Sequence, residues 1–206
     1  MRTRRLSSSY RMPLLVIGTI LVGVVFSVSG CGATSTSVQT LPISQDQHYS
    51  QRVDMEASWA VGYKDLKSLK AASDIAIEGT IVAVADETLD TATSTMSIPY
   101  TDFTLSTHTV VYDPQGRIQG TTVLVHQTGG IVNNTLYQFI DDPLFQVGEQ
   151  VVLFLHEYAP GKYFVEGGPT GRFEVRSGIV TAVSTFGLVL PPSTDLNTFL
   201  AQIHTA

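Results

Sequence analysis

The chain contains very little cysteine. Cys31 is the only cysteine among 206 residues. A lone thiol cannot form an internal disulfide, so the fold must be stabilised by packing rather than by cross-links. The same count excludes a zinc site built from several cysteines. Cys31 stands just after an N-terminal apolar run, and this position indicates a role other than disulfide formation.

Basic residues are scarce beyond the N-terminal region. Of the 12 basic residues, four precede Cys31, whereas none of the 18 acidic residues does, so residues 31–206 carry 8 basic against 18 acidic groups and a formal charge of −10. Proteins that bind nucleic acid neutralise phosphates with clustered Lys and Arg. Only Lys64, Lys67 and Lys70 come close together, on a short helical stretch that is typical of a solvated face. We therefore expect no nucleic-acid partner.

Sequence motifs of common enzymes are also missing. No G-x-S-x-G nucleophile elbow is present. His156-Glu157 begins like a zinc-protease helix, but position 160 is proline and no second histidine follows at the required spacing. Gly161-Lys162 lacks the earlier glycine of a phosphate-binding loop. The sequence therefore predicts a non-enzymatic protein with no catalytic residue, no cofactor and no metal site.

The histidines allow one alternative, a metal-dependent or hydrolytic enzyme. They stand at positions 48, 108, 126, 156 and 204. His108, His126 and His156 lie on three separate predicted strands, and neighbouring strands could bring two of them together in a metal-dependent or hydrolytic enzyme. Acidic residues at 86–90 and 141–142 offer oxygen ligands for calcium but lack the spacing of a known loop. Surface histidines and solvated acidic loops are the interpretations that we favour.

The N-terminal segment has the pattern of an export signal. Arg2, Arg4, Arg5 and Arg11 precede an almost wholly apolar run over 14–28, which is followed by small residues. The string Val28-Ser29-Gly30-Cys31 resembles the lipobox of bacterial lipoproteins. This resemblance covers residues 1 to about 33. An uncleaved membrane anchor and simple secretion are the alternatives, but the run is shorter than the roughly 20 residues that span a bilayer.

The resemblance implies a lipid anchor. In bacterial lipoproteins a peptidase removes residues 1–30, and the mature chain begins at a cysteine that carries a diacylglyceryl group, with palmitate as a typical acyl chain. Two or more acyl chains hold a protein stably at a membrane. We therefore expect Cys31 to bind the bilayer and the remaining chain to lie outside the cytoplasm. In related lipoproteins, an aspartate directly after the lipidated cysteine commonly signals retention at the inner membrane. Position 32 is glycine, so the resemblance implies the outer membrane if the envelope has two membranes.

The mature part divides into a tether and one domain. Residues 31–53 hold the lipidated cysteine followed by a stretch rich in Ser, Thr and Gln without apolar periodicity, which predicts a flexible tether. Residues 54–206 form the predicted domain. Spacings between Trp59 and Tyr63, and between Leu66 and Leu69, predict short helical turns at its N-terminal end.

Alternating apolar residues then predict about seven short strands separated by turns. Examples are 75–83, with a possible bend at Gly79, and 100–112. A small hairpin is predicted around Asn133-Asn134. Leu196, Phe199, Leu200 and Ile203 follow Pro191-Pro192 at helical spacing, with Ser193 or Thr194 as the expected cap. The fold class is therefore mainly β, a small antiparallel barrel with a C-terminal amphipathic helix.

Two glycine-bearing segments are distinctive. The strings DPLFQVGE, at 142–149, and GGPTGRF, at 167–173, resemble a recurring pattern in exported bacterial domains of uncharacterised function. The region 73–180 also resembles the oligonucleotide/oligosaccharide-binding (OB) barrel of tissue-inhibitor and netrin-type modules. Those modules use disulfides that this chain lacks, so protease inhibition is not implied. The resemblance supports an OB-like barrel.

The two segments have a structural and a functional interpretation. In the structural one, Gly148 and Gly168 adopt positive φ angles in turns, while Phe145 and Phe173 close the ends of the barrel. In the functional one, Tyr163, Glu166 and Arg172 line a groove on the barrel for an envelope glycan or peptide. We accordingly expect a binding or envelope-associated role, with a glycan, peptide or protein as partner besides the bilayer. A structural spacer is a further alternative.

Overall fold

The computed structural model describes residues 49–59, 61–89, 99–184 and 186–206. All of them belong to one unit, Pro42–Ala206. The predicted signal peptide, the predicted lipobox Val28-Ser29-Gly30, the predicted lipidation site Cys31 and most of the predicted tether lie outside the described residues. The helices within the described part are not long and apolar enough to cross a membrane.

The described residues form a mainly β fold, as predicted. The strands are β1 (Gln51–Met55), β2 (Ile75–Leu89), β3 (Pro99–Tyr112), β4 (Thr122–Thr128), β5 (Gly130–Val132), β6 (Thr135–Phe139), β7 (Gln150–Ala159), β8 (Lys162–Val165), β9 (Arg172–Arg176), β10 (Ile179–Ala182) and β11 (Thr194–Asp195). The helices are α1 (Leu66–Ala72), a 3₁₀ turn (Gly168–Gly171) and α2 (Leu196–Thr205).

Five strands close into a barrel in the order β7, β2, β3, β4, β8, and β8 pairs back with β7. Four of the five pairings are antiparallel, and β4 with β8 is parallel. A closed five-stranded barrel is OB-like, as the sequence predicted. The parallel pair is a detail that the prediction of an antiparallel barrel did not contain. Closure leaves the barrel without an open edge, since every barrel strand has two neighbours.

The barrel interior is filled by alternate residues of its strands. On β4, Val123 and Val125 are buried, while Leu124 between them and His126 after them face outward. This period of two is the general property of a strand, whose successive side chains point to opposite faces. Phe145 packs in the barrel core against Phe103, with ring centroids 5.4 Å apart.

A second apolar layer covers one side of the barrel. Strands β9, β10 and β11 extend the sheet beyond β7, and α1 and α2 pack on it. Phe173 contacts Phe154 and Phe199 in this layer. It therefore does not close a barrel end, and that prediction was wrong. Helix α2 buries Phe199 and Ile203 completely, which confirms the apolar face predicted from the helical spacing.

Other local predictions can be compared directly. The hairpin β5–β6 forms around Asn133 and Asn134, whose φ angles are 48° and 63°. The β2–β3 register shifts beside Gly79, where the bend was expected. Asp195, not Ser193 or Thr194, caps α2, since its carboxylate accepts a hydrogen bond from the Thr198 N–H at 3.1 Å.

The N-terminal end of the domain differs most from the prediction. Residues 51–55 form β1, which pairs in parallel with β6, although 51–53 had been assigned to the tether. Helical turns were expected around Trp59 and Tyr63, but both lie in an irregular segment before α1. We call residues 59–63 the arm, of which residue 60 is outside the described part. The arm packs on the barrel beside the 3₁₀ turn.

Candidate binding face on the outside of the barrel

The closure by β8 sets up a row of side chains across the outer surface. In the strand register, Phe164 of β8 lies beside His126 of β4 on one side and beside His156 of β7 on the other. Asp102 of β3 lies beside His126 in turn. These positions share one face because neighbouring strands keep paired residues on the same side of a sheet.

Each of the two histidines in this row is bonded to a carboxylate. The Nδ1 atom of His126 lies 2.6 Å from Asp102 Oδ1, and the Nδ1 atom of His156 lies 3.2 Å from Asp74 Oδ2. Asp102 also contacts the Nζ atom of Lys162 at 3.4 Å. These bonds orient both imidazole rings on the surface. Sequence reasoning missed them because the partners stand 24 and 82 residues away.

Five rings form a continuous series on this surface, which we call the aromatic face. Its members are Tyr100, His126, His156, Tyr158 and Phe164. Successive ring centroids are 4.3 Å apart for Tyr100 and His126, 5.3 Å for His126 and Tyr158, 6.2 Å for Tyr158 and Phe164, and 5.1 Å for Phe164 and His156. Such separations are those of interacting ring pairs. Tyr158 and Phe164 remain 46% and 37% exposed.

A groove of about 440 Å³ adjoins the aromatic face. Trp59 and Val61 of the arm form one wall, and His126 and Phe164 belong to the other. Glu166 also lines it, with its carboxylate accepting a hydrogen bond of 2.5 Å from the Tyr63 hydroxyl. Burial, together with this hydrogen bond, raises the pKa of Tyr63 to about 12. Tyr63 therefore stays a donor to Glu166 at neutral pH.

Glycines 167 and 168 allow the arm to approach the barrel. Gly168 has a φ angle of 59°, and a Cβ atom there would lie 2.3 Å from Cζ3 of Trp59. Gly167 has a φ angle of 65° and faces the Tyr63 ring in the same way. The positive φ predicted for Gly168 is confirmed. The indole N–H of Trp59 also donates a hydrogen bond to Asp141, which helps to hold Trp59 at the groove.

The three predicted groove residues occupy separate environments. Tyr163 is fully buried inside the barrel, because β8 points Tyr163 inward and Phe164 outward. Arg172 is 1% exposed. Of the three, only Glu166 has its polar group at the groove beside the aromatic face. The prediction that Tyr163 and Arg172 present their side chains to a ligand there was therefore wrong.

Arg172 instead joins the two glycine-bearing segments. Its guanidinium donates to Asp142 Oδ1 at 3.1 Å, to the Pro143 carbonyl at 2.5 Å and to Glu149 Oε1 at 2.8 Å. It also lies 4.0 Å from the centroid of the Phe145 ring. Every one of these partners comes from the DPLFQVGE segment. We call this set the Arg172 cluster.

Gln127 supports the same segment from inside β4. Its amide N–H₂ donates to the Pro143 carbonyl at 3.1 Å, and its amide oxygen accepts from the Phe145 N–H at 3.0 Å. Burial raises the pKa of the Asp142 carboxyl, and the nearby Arg172 charge opposes that shift. The segment is therefore fixed by polar contacts that the sequence pattern did not reveal.

The strand histidines do not come together as neighbours. Strand β8 lies between β4 and β7, so Phe164 separates His126 from His156. His108 is bonded to Glu78 at 3.1 Å, away from that row. Within the described ranges, no group of three or more His, Cys, Asp and Glu side chains is arranged to hold a metal ion.

Comparison with protein-family models, with curated proteins and with solved structures finds no match to this chain. The interpretation of the aromatic face therefore rests on its geometry and chemistry.

Replacing Gly168 should displace the arm. Gly168→Ala and Gly161→Ala both place a side chain at positive φ, which costs about 1–2 kcal/mol. Only at Gly168 would the new Cβ collide with Trp59, because nothing lies within 4 Å of the Cβ position at Gly161. We expect Gly168→Ala to shift the emission of Trp59, the only tryptophan, and to lower thermal stability more than Gly161→Ala. Equal emission spectra for the two variants would contradict the packing.

Replacing Arg172 should destabilise the domain strongly. Arg172→Met leaves Asp142 and Glu149 without their buried cation. Breaking a buried ion pair in this way should lower the free energy of unfolding by about 3–5 kcal/mol. Arg176→Met is the matched control on the same strand, because Arg176 is exposed and its pair with Glu174 should contribute less than about 1 kcal/mol. Denaturant unfolding measures both.

The pH dependence of the same pair of variants separates charge from packing. Without Arg172, the raised pKa of Asp142 should rise further, so the neutral carboxyl is favoured in the folded state. Folded-state stabilisation by a raised pKa is present at low pH and is lost as pH rises through that pKa. The deficit of Arg172→Met should therefore shrink on acidification. A deficit independent of pH would indicate lost packing alone.

Proposed function

We propose that this chain is an extracytoplasmic lipoprotein of a bacterial envelope that binds a ligand and catalyses no reaction. The anchor is Cys31, and support for it comes from the sequence: four arginines, an apolar run, and the lipobox Val28-Ser29-Gly30 directly before the only cysteine. A diacylglyceryl group supplies two acyl chains, enough for stable attachment. The tether then connects the bilayer to the domain.

The binding role is carried by one observation, the aromatic face. Two neighbouring aromatic side chains of this face, Tyr158 and Phe164, stay partly exposed to water, and exposed apolar side chains that cluster in this way mark interaction sites. OB-like barrels bind their ligands on the face formed by the second and third barrel strands. In this chain those strands are β3 and β4, which supply Tyr100 and His126 to the aromatic face, and Tyr158 and Phe164 extend it onto β7 and β8. The groove beside the aromatic face provides a concave surface of the kind in which ligands bind.

Binding is favoured over the alternative functions by specific contacts. An enzyme that used two strand histidines would need His126 and His156 side by side, whereas Phe164 lies between them. A structural spacer would not require Tyr158 and Phe164 to remain exposed beside a groove. The bilayer, through Cys31, and a component of the envelope are the proposed partners.

The anchor is tested by metabolic labelling. Cells that express the full chain are grown with a radioactive or clickable palmitate, beside cells that express Cys31→Ser. We expect label and membrane attachment in the wild type and loss of both in the variant, because Cys31 supplies the only thiol. Equal label in the two proteins, or no label in either, would disprove the anchor.

The binding role is tested with fragments of the producing organism's own envelope. Full-length protein, immobilised in detergent, is exposed to enzymatically solubilised envelope, and retained molecules are identified by mass spectrometry. We expect retention by the wild type and its loss in Tyr158→Ala/Phe164→Ala. Phe186→Ala is the matched control, because Phe186 is an 81% exposed aromatic side chain outside the aromatic face. Equal retention by the wild type and the double variant, or none by either, would exclude binding on this face.

A further inference from the structure

The chemical class of the ligand follows from what the aromatic face offers. Tyr158 and Phe164 are its most exposed rings, and their planes are inclined by only 32°. Together they form a shallow platform rather than a cage around a single point. A platform of this kind suits a flat apolar surface that lies across both rings, because an aromatic ring attracts weakly positive C–H groups to its negative face.

The lysine and arginine side chains that border the aromatic face in the described part are already paired. Asp102 contacts His126 and Lys162. Arg117 lies between two other carboxylates, at 3.0 Å from Asp74 Oδ1 and in contact with Glu157. An anionic ligand would find these cations neutralised, and the Glu166 carboxylate in the groove, which is bonded to the neutral Tyr63 hydroxyl, would repel it. The local electrostatics therefore disfavour an anionic ligand.

Nucleic acid would need the opposite electrostatics. Single-stranded nucleic acids stack their bases on aromatic platforms, but they do so within positively charged grooves. Here Lys162 is engaged by Asp102. Residues 31–206 carry a formal charge of −10, which disfavours the binding of a phosphate backbone. Of the two ligand classes that OB-like barrels bind, oligonucleotides and oligosaccharides, this argument selects the second.

We propose that the aromatic face binds a neutral saccharide, with the C–H faces of adjoining sugar rings resting on Tyr158 and Phe164. The Nδ1 atom of His126 is bonded to Asp102, so Nε2 is the ring nitrogen that can reach a sugar hydroxyl. Glu166, in the groove, supplies a second polar group for orientation. This inference rests on the proposed binding function and names the substrate class of the same face.

The test uses full-length protein purified in a detergent without a sugar headgroup, since such a headgroup would compete. Cellotetraose and chitotetraose are titrated, and binding is followed by calorimetry and by the emission of Trp59, which lines the groove. A single-stranded deoxythymidine oligomer and a lysine-rich peptide serve as anionic and cationic probes. We expect saturable binding of at least one saccharide and none of either charged probe.

Variants locate the site. Tyr158→Ala and Phe164→Ala should each weaken saccharide binding about tenfold or more, because central aromatic contacts supply much of the binding free energy. Phe186→Ala should bind as the wild type does. Circular dichroism and thermal unfolding of every variant verify that the exposed substitutions leave the fold intact.

The outcomes separate the ligand class from the binding function. Saccharide binding that is unaffected by Tyr158→Ala and Phe164→Ala would overturn the site. Failure to bind either tetrasaccharide, together with failure to bind any glycan fragment from the envelope, would overturn the saccharide class. If envelope peptides are still retained through Tyr158 and Phe164, the binding function stands while the ligand class is wrong. Binding of the oligonucleotide would overturn the charge argument directly.

Discussion

The whole arrangement depends on the register of β8, a strand of four residues. Strand β8 pairs in parallel with β4 and in antiparallel with β7, and these two pairings close the barrel. Side chains alternate between the faces of a strand, so a slip by one residue would exchange Tyr163 and Phe164. The core would then lose a buried tyrosine, and the aromatic face would lose its central ring. The closing strand thus determines both the barrel interior and the aromatic face.

The Arg172 cluster holds the loop that leads into β7, one of the two neighbours of β8. A buried arginine stabilises a structure only when its partners compensate the loss of water. Here two carboxylates, one carbonyl and one ring surround the guanidinium. Because all of these partners come from one segment, Arg172 of β9 and Gln127 of β4 together fix the path between β6 and β7. The arm then packs over the adjoining turn and completes the groove.

Much of the fold could be predicted from local sequence. Alternation marked β3 and β4, paired asparagines marked the hairpin, and apolar spacing marked α2, since each signal arises within a few residues. Strand β1 carried no such signal because its partner, β6, stands more than 80 residues later. Its parallel pairing is a tertiary effect that overrides a composition typical of linkers.

The candidate site was harder to predict because orientation is not local. In β8 the sequence Lys-Tyr-Phe-Val contains adjacent aromatic residues, so alternation alone does not tell which one faces the core. Arg172 was taken for a surface residue because charged side chains are seldom fully buried. Its burial depends on carboxylates 23 and 30 residues away. The contacts of His126 with Asp102 and of His156 with Asp74 could not be predicted either, because each partner is distant in the sequence.

The parallel pairing of β1 with β6 has a mechanical consequence. Strand β1 precedes the barrel in the chain and belongs to a separate three-stranded sheet. Tension on the chain before Gln51 is therefore transmitted first to the hydrogen bonds between these two strands. If these bonds yield, β1 separates from β6 before the load passes to the arm and the barrel strands. A pull from the N-terminal side therefore acts on the β1–β6 pair first.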